Sequence, residues 1–318
     1  MEGSSYEGFL VEDQMYFGDN FHSGHDAFMF TFGCVSKETN LFYEQKADGI
    51  LGMGMAHTMA ISSQMPIYEA MFRSQVISKR MFNICLGKNG GYFQVGGYNR
   101  KNHTEPIKWF SMIDKEGSNY KFKLTGTSIN RHPISGSNRW NVGFIDSGTT
   151  FTYIPTEMWD SLAYHFDYYC EQAKKNAPEE HRHKYCPGKR FYANVDGDTV
   201  MCFEYDSERF QNRTKEFFLG YPVIIIHAKT VDGHITQIQW FPSEYLYIEK
   251  DKKKYCLSAD KNTNSNEILF GGTLMRQNDI IFDIDNKRIG MARSTCSQDP
   301  NMIHSINDYH EYGTGYGL

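Results

Sequence analysis

Asn141-Val142-Gly143-Phe144-Ile145-Asp146-Ser147-Gly148-Thr149-Thr150 constrains this chain more than any other stretch. An apolar run closes on Asp-Ser-Gly-Thr-Thr, and Phe151-Thr152-Tyr153-Ile154-Pro155 continues it. The run reads as a buried strand that delivers an aspartate into a glycine-containing turn. Backbone and hydroxyl donors there can hold the carboxylate at the floor of a cleft. Asp-Ser-Gly or Asp-Thr-Gly occurs nowhere else in the 318 residues.

That absence matters because of the chemistry such a turn serves. Two carboxyl groups in one site cannot both ionise cheaply, so their titrations separate and one proton is shared. The ionised member acts as general base on a water molecule, and the protonated member acts as acid. No metal, cofactor or covalent intermediate is required. Asp146 alone supplies half of such a pair.

The length suits one large two-lobed domain or two smaller ones. Net charge is −5 with a pI near 6.2, so nothing points to nucleic acid. Aromatic residues make up 15% of the chain, which suits a β-protein with a cleft for apolar side chains. No window approaches the ~20 apolar residues of a membrane span. Met1-Glu2-Gly3-Ser4-Ser5 has neither the basic region nor the apolar core of a signal peptide.

Seven cysteines are dispersed, with no Cys-x-x-Cys pair, which argues for disulfides made in the secretory pathway and against a zinc ribbon. Two acceptor triplets, Asn102-His103-Thr104 and Asn212-Arg213-Thr214, fit that compartment. The odd count leaves one cysteine over. A secretory chain with no leader, an orphan cysteine and half a catalytic pair is expected to be shortened at its N-terminus.

Strand-like runs dominate. They include Gly8–Gly18, Ala27–Cys34 (apolar enough for a buried strand), Tyr92–Val95, Val223–His227 and Ile280–Ile284. Two helices are expected. Met65–Phe72 follows a Ser62-Ser63 cap, and Thr156–Phe166 takes Thr156 as its cap and turns Met158, Leu162, Ala163 and Phe166 to one face. Glu171–Lys189 is charged and reads as a solvated loop. A boundary is expected within Asn99–Ser118, near residue 106. Ile50-Leu51-Gly52 echoes Leu269-Phe270-Gly271, which suggests a distant internal duplication.

Taken together these residues resemble the pepsin-like aspartic proteases, and within them the plasmepsin V and β-secretase branch. Phe144-Ile145-Asp146-Ser147-Gly148-Thr149-Thr150 is similar to the catalytic loop of the family's second lobe. Ile50-Leu51-Gly52 and Leu269-Phe270-Gly271 are similar to the elements that thread each lobe's loop. Glu2-Gly3-Ser4-Ser5 resembles the descending arm of the flap. The resemblance implies an all-β, bilobal fold with short helices and an incomplete first lobe, residues 1–106, before a second lobe, 107–318. It implies hydrolysis of peptide bonds in a polypeptide substrate by an aspartate pair. Asp146 would be catalytic, with Ser147, Gly148, Thr149, Gly3 and Ser4 supporting it or contacting substrate. It implies the disulfides Cys85–Cys296 and Cys202–Cys256, leaving Cys170–Cys186 as a local pair and Cys34 as an orphan or a free buried thiol. The implied location is the secretory pathway, in the endoplasmic reticulum, the endolysosomal system or outside the cell. The implied state is a monomer, inactive as residues 1–318 alone.

Blander readings compete. Asp146 could simply cap a turn. His181, His183 and Cys186 could be drawn as a metal cluster, but a charged loop beside a disulfide accounts for them, so no metal is expected. Asp48 precedes a threading element, not a catalytic turn. A catalytically silent homologue serving as a binding module, and a homodimer in which two copies each donate Asp146, are the rival functions.

Overall fold

A computed structural model describes residues 4–17, 27–44, 47–55, 64–113, 119–130, 132–134, 139–195, 198–211, 213–248, 253–263 and 266–311. Nineteen strands dominate those residues. They are β1 (Tyr6–Met15), β2 (Phe28–Glu38), β3 (Met81–Gly87), β4 (Gly90–Val95), β5 (Lys108–Ser111), β6 (Lys121–Ile129), β7 (His132–Pro133), β8 (Val142–Ile145), β9 (Thr152–Pro155), β10 (Arg190–Val195), β11 (Asp198–Glu204), β12 (Ile224–Lys229), β13 (Ile235–Trp240), β14 (Leu246–Ile248), β15 (Lys254–Leu257), β16 (Ala259–Asn262), β17 (Glu267–Phe270), β18 (Asn278–Asp283) and β19 (Arg288–Arg293).

The largest sheet runs β13-β12-β6-β8-β17-β9-β16, with β7 beside β6. Its centre is the informative part. β17 lies parallel to β8 and antiparallel to β9, so a late segment is inserted between two strands that are near neighbours in sequence. The burial pattern explains why it sits there. Ile268 and Phe270 are fully buried on the face that also carries Ile145, Phe122 and Ile154. Val142, Phe144 and Leu269 turn to the other face, which is half-buried. Successive side chains alternate across a strand, so one register decides both faces at once.

A second sheet, β4-β3-β18-β19-β5, joins residues 81–95 to residues 278–293 and 108–111. Phe82 stacks on Phe282 at 4.6 Å between ring centroids, and Tyr120 packs on Phe282 at 4.5 Å. These rings connect the sheet to the main core. A four-stranded sheet, β10-β11-β15-β14, packs Phe203 against Phe166 of the long helix.

Three disulfides brace the fold. Cys85–Cys296 ties β3 to the segment after β19. Cys202–Cys256 crosses directly between β11 and β15, whose register places the two residues opposite each other. Cys170–Cys186 ties the long helix to the chain beyond the short 3-10 segment Glu179–Lys184. Cys34 is unbonded and exposed, so the free buried thiol is excluded.

Several local expectations are corrected. The apolar run of β2 does not make a buried strand: only Phe28 is buried, and from Cys34 onward the strand is exposed. Among the described residues β2 pairs only with β1, in a two-stranded sheet, and core packing reaches only its first residues, Phe28 and Phe30. The long helix runs Thr156–Asn176, ten residues further than its apolar stripe suggested, and takes in the first part of the supposed charged loop. Its N-cap position is Pro155, which offers no side-chain cap, and Thr156 is the first helical residue. Ala173 and the Cys170 disulfide anchor the added turns. The other helix spans Ile67–Arg73 with Pro66 at its N-cap, while Ser62 and Ser63 lie outside the described residues.

Candidate active site

The expected duplication of threading elements is unequal in the fold. Leu269-Phe270-Gly271 is built into the main sheet through β17. Ile50 and Leu51 are 72% and 46% exposed, and Asp48 beside them is exposed too. The site therefore rests on the second copy.

Asp146 stands at the carboxyl end of β8. Ile145 N donates to Tyr120 O at 3.0 Å, and Asp146 N donates to Phe270 O at 3.1 Å. Those bonds extend the strand ladder up to the aspartate and end it there. The turn then closes on the side chain. Gly148 N donates to Oδ1 at 2.9 Å, and the Thr149 hydroxyl donates to Oδ2 at 2.6 Å. Each carboxylate oxygen thus accepts from its own turn, a geometry in which a charge-assisted bond fixes orientation as well as energy. Asp146 and Thr149 are half-buried, whereas Ser147 and Gly148 are exposed.

The turn is clamped from behind. Gly272 N donates to Thr149 O at 2.7 Å, and Thr273 N donates to Thr150 O at 3.1 Å. Thr152 Oγ1 and Thr273 Oγ1 lie 3.2 Å apart in the buried layer below. Gly271 makes this approach possible. A Cβ placed on it would lie 2.6 Å from the Phe151 carbonyl carbon, 2.9 Å from Thr149 O and closer still to Phe151 O. Trp240 Nε1 donates to Thr273 O at 3.2 Å, which fixes the helix Gly272–Met275 to β13.

A family model for eukaryotic aspartyl proteases matches residues 2–294. This chain belongs to the eukaryotic aspartyl protease family. Among curated relatives it is similar to plasmepsin V of Plasmodium falciparum (isolate 3D7), at 22% identity over 98% of this chain and 60% of that protein. Aspartic protease 5 of Toxoplasma gondii is 23% identical over 93% of this chain and 26% of its own length. Aspartic proteinase 39 of Arabidopsis thaliana is 25% identical over 84% and 49%. The chain therefore spans less than two thirds of the curated relatives it matches here.

Within this aspartyl protease chain, Asp146, Gly148 and Thr149 are brought together by hydrogen bonds. Ser4 is half-buried just before β1, and among the described residues the β1-β2 sheet shares no strand pairing with the Asp146 sheet. Gly3 lies outside the described residues. Cys186 is committed to its disulfide with Cys170, so it cannot join His181 and His183 as a thiolate ligand. Among the described residues no helix is long and apolar enough to cross a membrane.

Two buried polar clusters were not evident from sequence. Glu244 Oε1 faces Arg293 Nη1 at 2.6 Å, and Glu244 Oε2 accepts from Phe241 N at 3.0 Å. Burial outweighs the Arg293 charge and pushes the Glu244 carboxyl up to about 6. The second cluster is His103 Nε2 against Asp279 Oδ2 at 2.7 Å, with Asn83 Nδ2 donating to Asp279 Oδ1 at 2.6 Å. The pairs Glu244–Arg293, His103–Asp279 and Asn83–Asp279 are 49, 176 and 196 positions apart, which is why no local pattern revealed them.

Proposed function

We propose that Asp146 is one of two catalytic carboxylates of a secretory aspartic endopeptidase. The observation that carries this is the pair of turn donors, Gly148 N and Thr149 Oγ1, aimed at its two oxygens at the end of a central strand. Family membership supports peptide-bond hydrolysis of polypeptides. The three disulfides support an oxidising compartment.

In the reaction, the ionised carboxylate removes a proton from a bound water, whose oxygen adds to the scissile carbonyl carbon. The protonated partner carboxyl hydrogen-bonds to the developing oxyanion and then supplies a proton to the leaving amide nitrogen. Both carboxyls must be held within hydrogen-bond reach of one water. Gly148 and Thr149 keep Asp146 from swinging away. Ser147 is assigned to donate its hydroxyl across the lobe interface and Gly3 and Ser4 to the flap over substrate, with residues 1–106 forming part of the first lobe and 107–318 the second. The working unit is a monomer.

Residues 1–318 hold one Asp-Ser/Thr-Gly turn, so the second carboxylate comes from outside them and these residues alone do not turn over substrate. The test is hydrolysis of an unstructured protein by purified residues 1–318 beside Asp146→Asn. Equal, background rates are expected. Turnover by the unmodified chain that disappears in the variant would refute the inactivity. A longer form that carries a second such turn should cleave, and lose cleavage in D146N. Binding without cleavage in that form would establish the binding-module reading instead.

A further inference from the structure

The triplet Asn102-His103-Thr104 plays no part in that chemistry, and its geometry is distinctive. A short 3-10 turn, Arg100–Asn102, ends on Asn102, and His103 follows with extended backbone at φ −74° and ψ 130°. The main chain is held from one side. Asn102 O accepts from Thr295 N at 2.9 Å and from Ser294 Oγ at 3.0 Å. Thr104 N donates to Arg293 O at 2.8 Å.

His103 points inward, to the fully buried Asp279. In extended backbone, residues i and i+2 share the face opposite i+1. Asn102 and Thr104 therefore stand together on the solvent side, and both are exposed. The middle residue is not proline, so the triplet meets the acceptor rule, and the exposed Asn102 side chain touches the half-buried Tyr92 hydroxyl. Three disulfides independently place the folding of this chain in the compartment where such acceptors are modified.

We propose that Asn102 carries an N-linked oligosaccharide. The donor is a lipid-diphosphate-linked oligosaccharide, used by the host's transferase. The Asn102 amide nitrogen forms a bond to the first sugar's anomeric carbon. The bond from that carbon to the diphosphate oxygen breaks, the lipid diphosphate leaves, and one amide proton passes to the transferase base. The product amide keeps its carbonyl oxygen and one N–H. The Tyr92 hydroxyl, which lies beside both Ser294 and Asn102, keeps a partner after transfer.

The experiment is site-resolved mass spectrometry on the whole chain, secreted from insect cells behind a cleavable leader. Peptides spanning Asn102 are read before and after peptide N-glycosidase, and only from molecules in which the Cys85–Cys296 bond has formed. A hexosamine-containing increment on Asn102 is expected, converted by the glycosidase to aspartate. Thr104→Ser should keep it, and Thr104→Ala and Asn102→Gln should abolish it. Thr104 contributes its main-chain N–H to the fold and its side chain is exposed, so T104A separates loss of the acceptor from loss of folding. An unmodified Asn102 in oxidised molecules overturns the proposal. The readout is independent of hydrolysis, so its failure leaves the Asp146 reading intact, and the reverse holds.

Discussion

Replacing Gly271 by alanine tests the idea that the Asp146 turn is clamped by close backbone approach. The new Cβ would meet the Phe151 carbonyl carbon at 2.6 Å and Thr149 O at 2.9 Å, and these are backbone atoms that cannot rotate away. Carbon contacts settle near 3.5–4.0 Å, so the turn or β17 must retreat by roughly an ångström. Overpacking a core costs about 1–3 kcal/mol, and a clash against the fixed Thr149–Phe151 backbone belongs at or above the upper end. Gly52 is the matched control. It closes the other apolar-apolar-Gly element, and a Cβ there meets nothing within 4 Å. Urea unfolding followed by tryptophan fluorescence reads both variants, since Trp140 and Trp240 are fully buried. With a slope of ~3 kcal/mol/M, a 3 kcal/mol loss lowers the G271A midpoint by about 1 M. G52A should move it by less than a tenth of that. Equal losses in the two variants would sink the argument that only the second element is built into the sheet.

Three further outcomes are expected. Removing Cys85–Cys296, which spans 211 positions, should cost more than removing Cys170–Cys186, which spans 16. Loop-closure entropy alone puts that difference near about 2 kcal/mol, to be read from urea midpoints of the double-serine variants. Arg293→Met strands the buried Glu244 carboxyl and should destabilise by about 3–5 kcal/mol, less at pH 5 than at pH 8, because a lone carboxyl escapes its burial by taking a proton. A loss that does not change with pH would show that the ion pair is not what Arg293 contributes. Acid should also weaken the fold through His165, His227 and His304, each held below the ordinary histidine range mainly by burial. A depressed pKa gives stability that is present above the unfolded pKa near 6.5 and lost as pH falls through the folded value. Glu244, pushed up to about 6, works in the opposite sense below that pH. His227→Gln isolates one term: melting temperatures at pH 7.5 and 5.5 should lie closer together in the variant than in the unmodified chain.

Features set by neighbours along the chain were legible in the amino-acid order. Asp146 could be placed in its turn because the strand, the glycine and the two donors lie within nine residues, Val142 to Thr150. Chain order likewise showed a β-rich chain, because strand alternation and turn residues are local signals, and the Asp146 motif carried the resemblance to the aspartyl protease family. Burial was not legible there, because it belongs to a partner surface that folding brings up. The β2 run is apolar yet mostly exposed, since only Phe28 and Phe30 at its start reach the core. The helix from Thr156 outran its apolar stripe because a disulfide and the Ala173 contact hold its last turns. Ile50-Leu51-Gly52 and Leu269-Phe270-Gly271 read alike as sequence, but one is solvent-exposed and the other threads the central sheet. The buried pairs Glu244–Arg293 and His103–Asp279 join residues that are distant in sequence. A charge finds its partner through space, and no local pattern along the chain carries that distance.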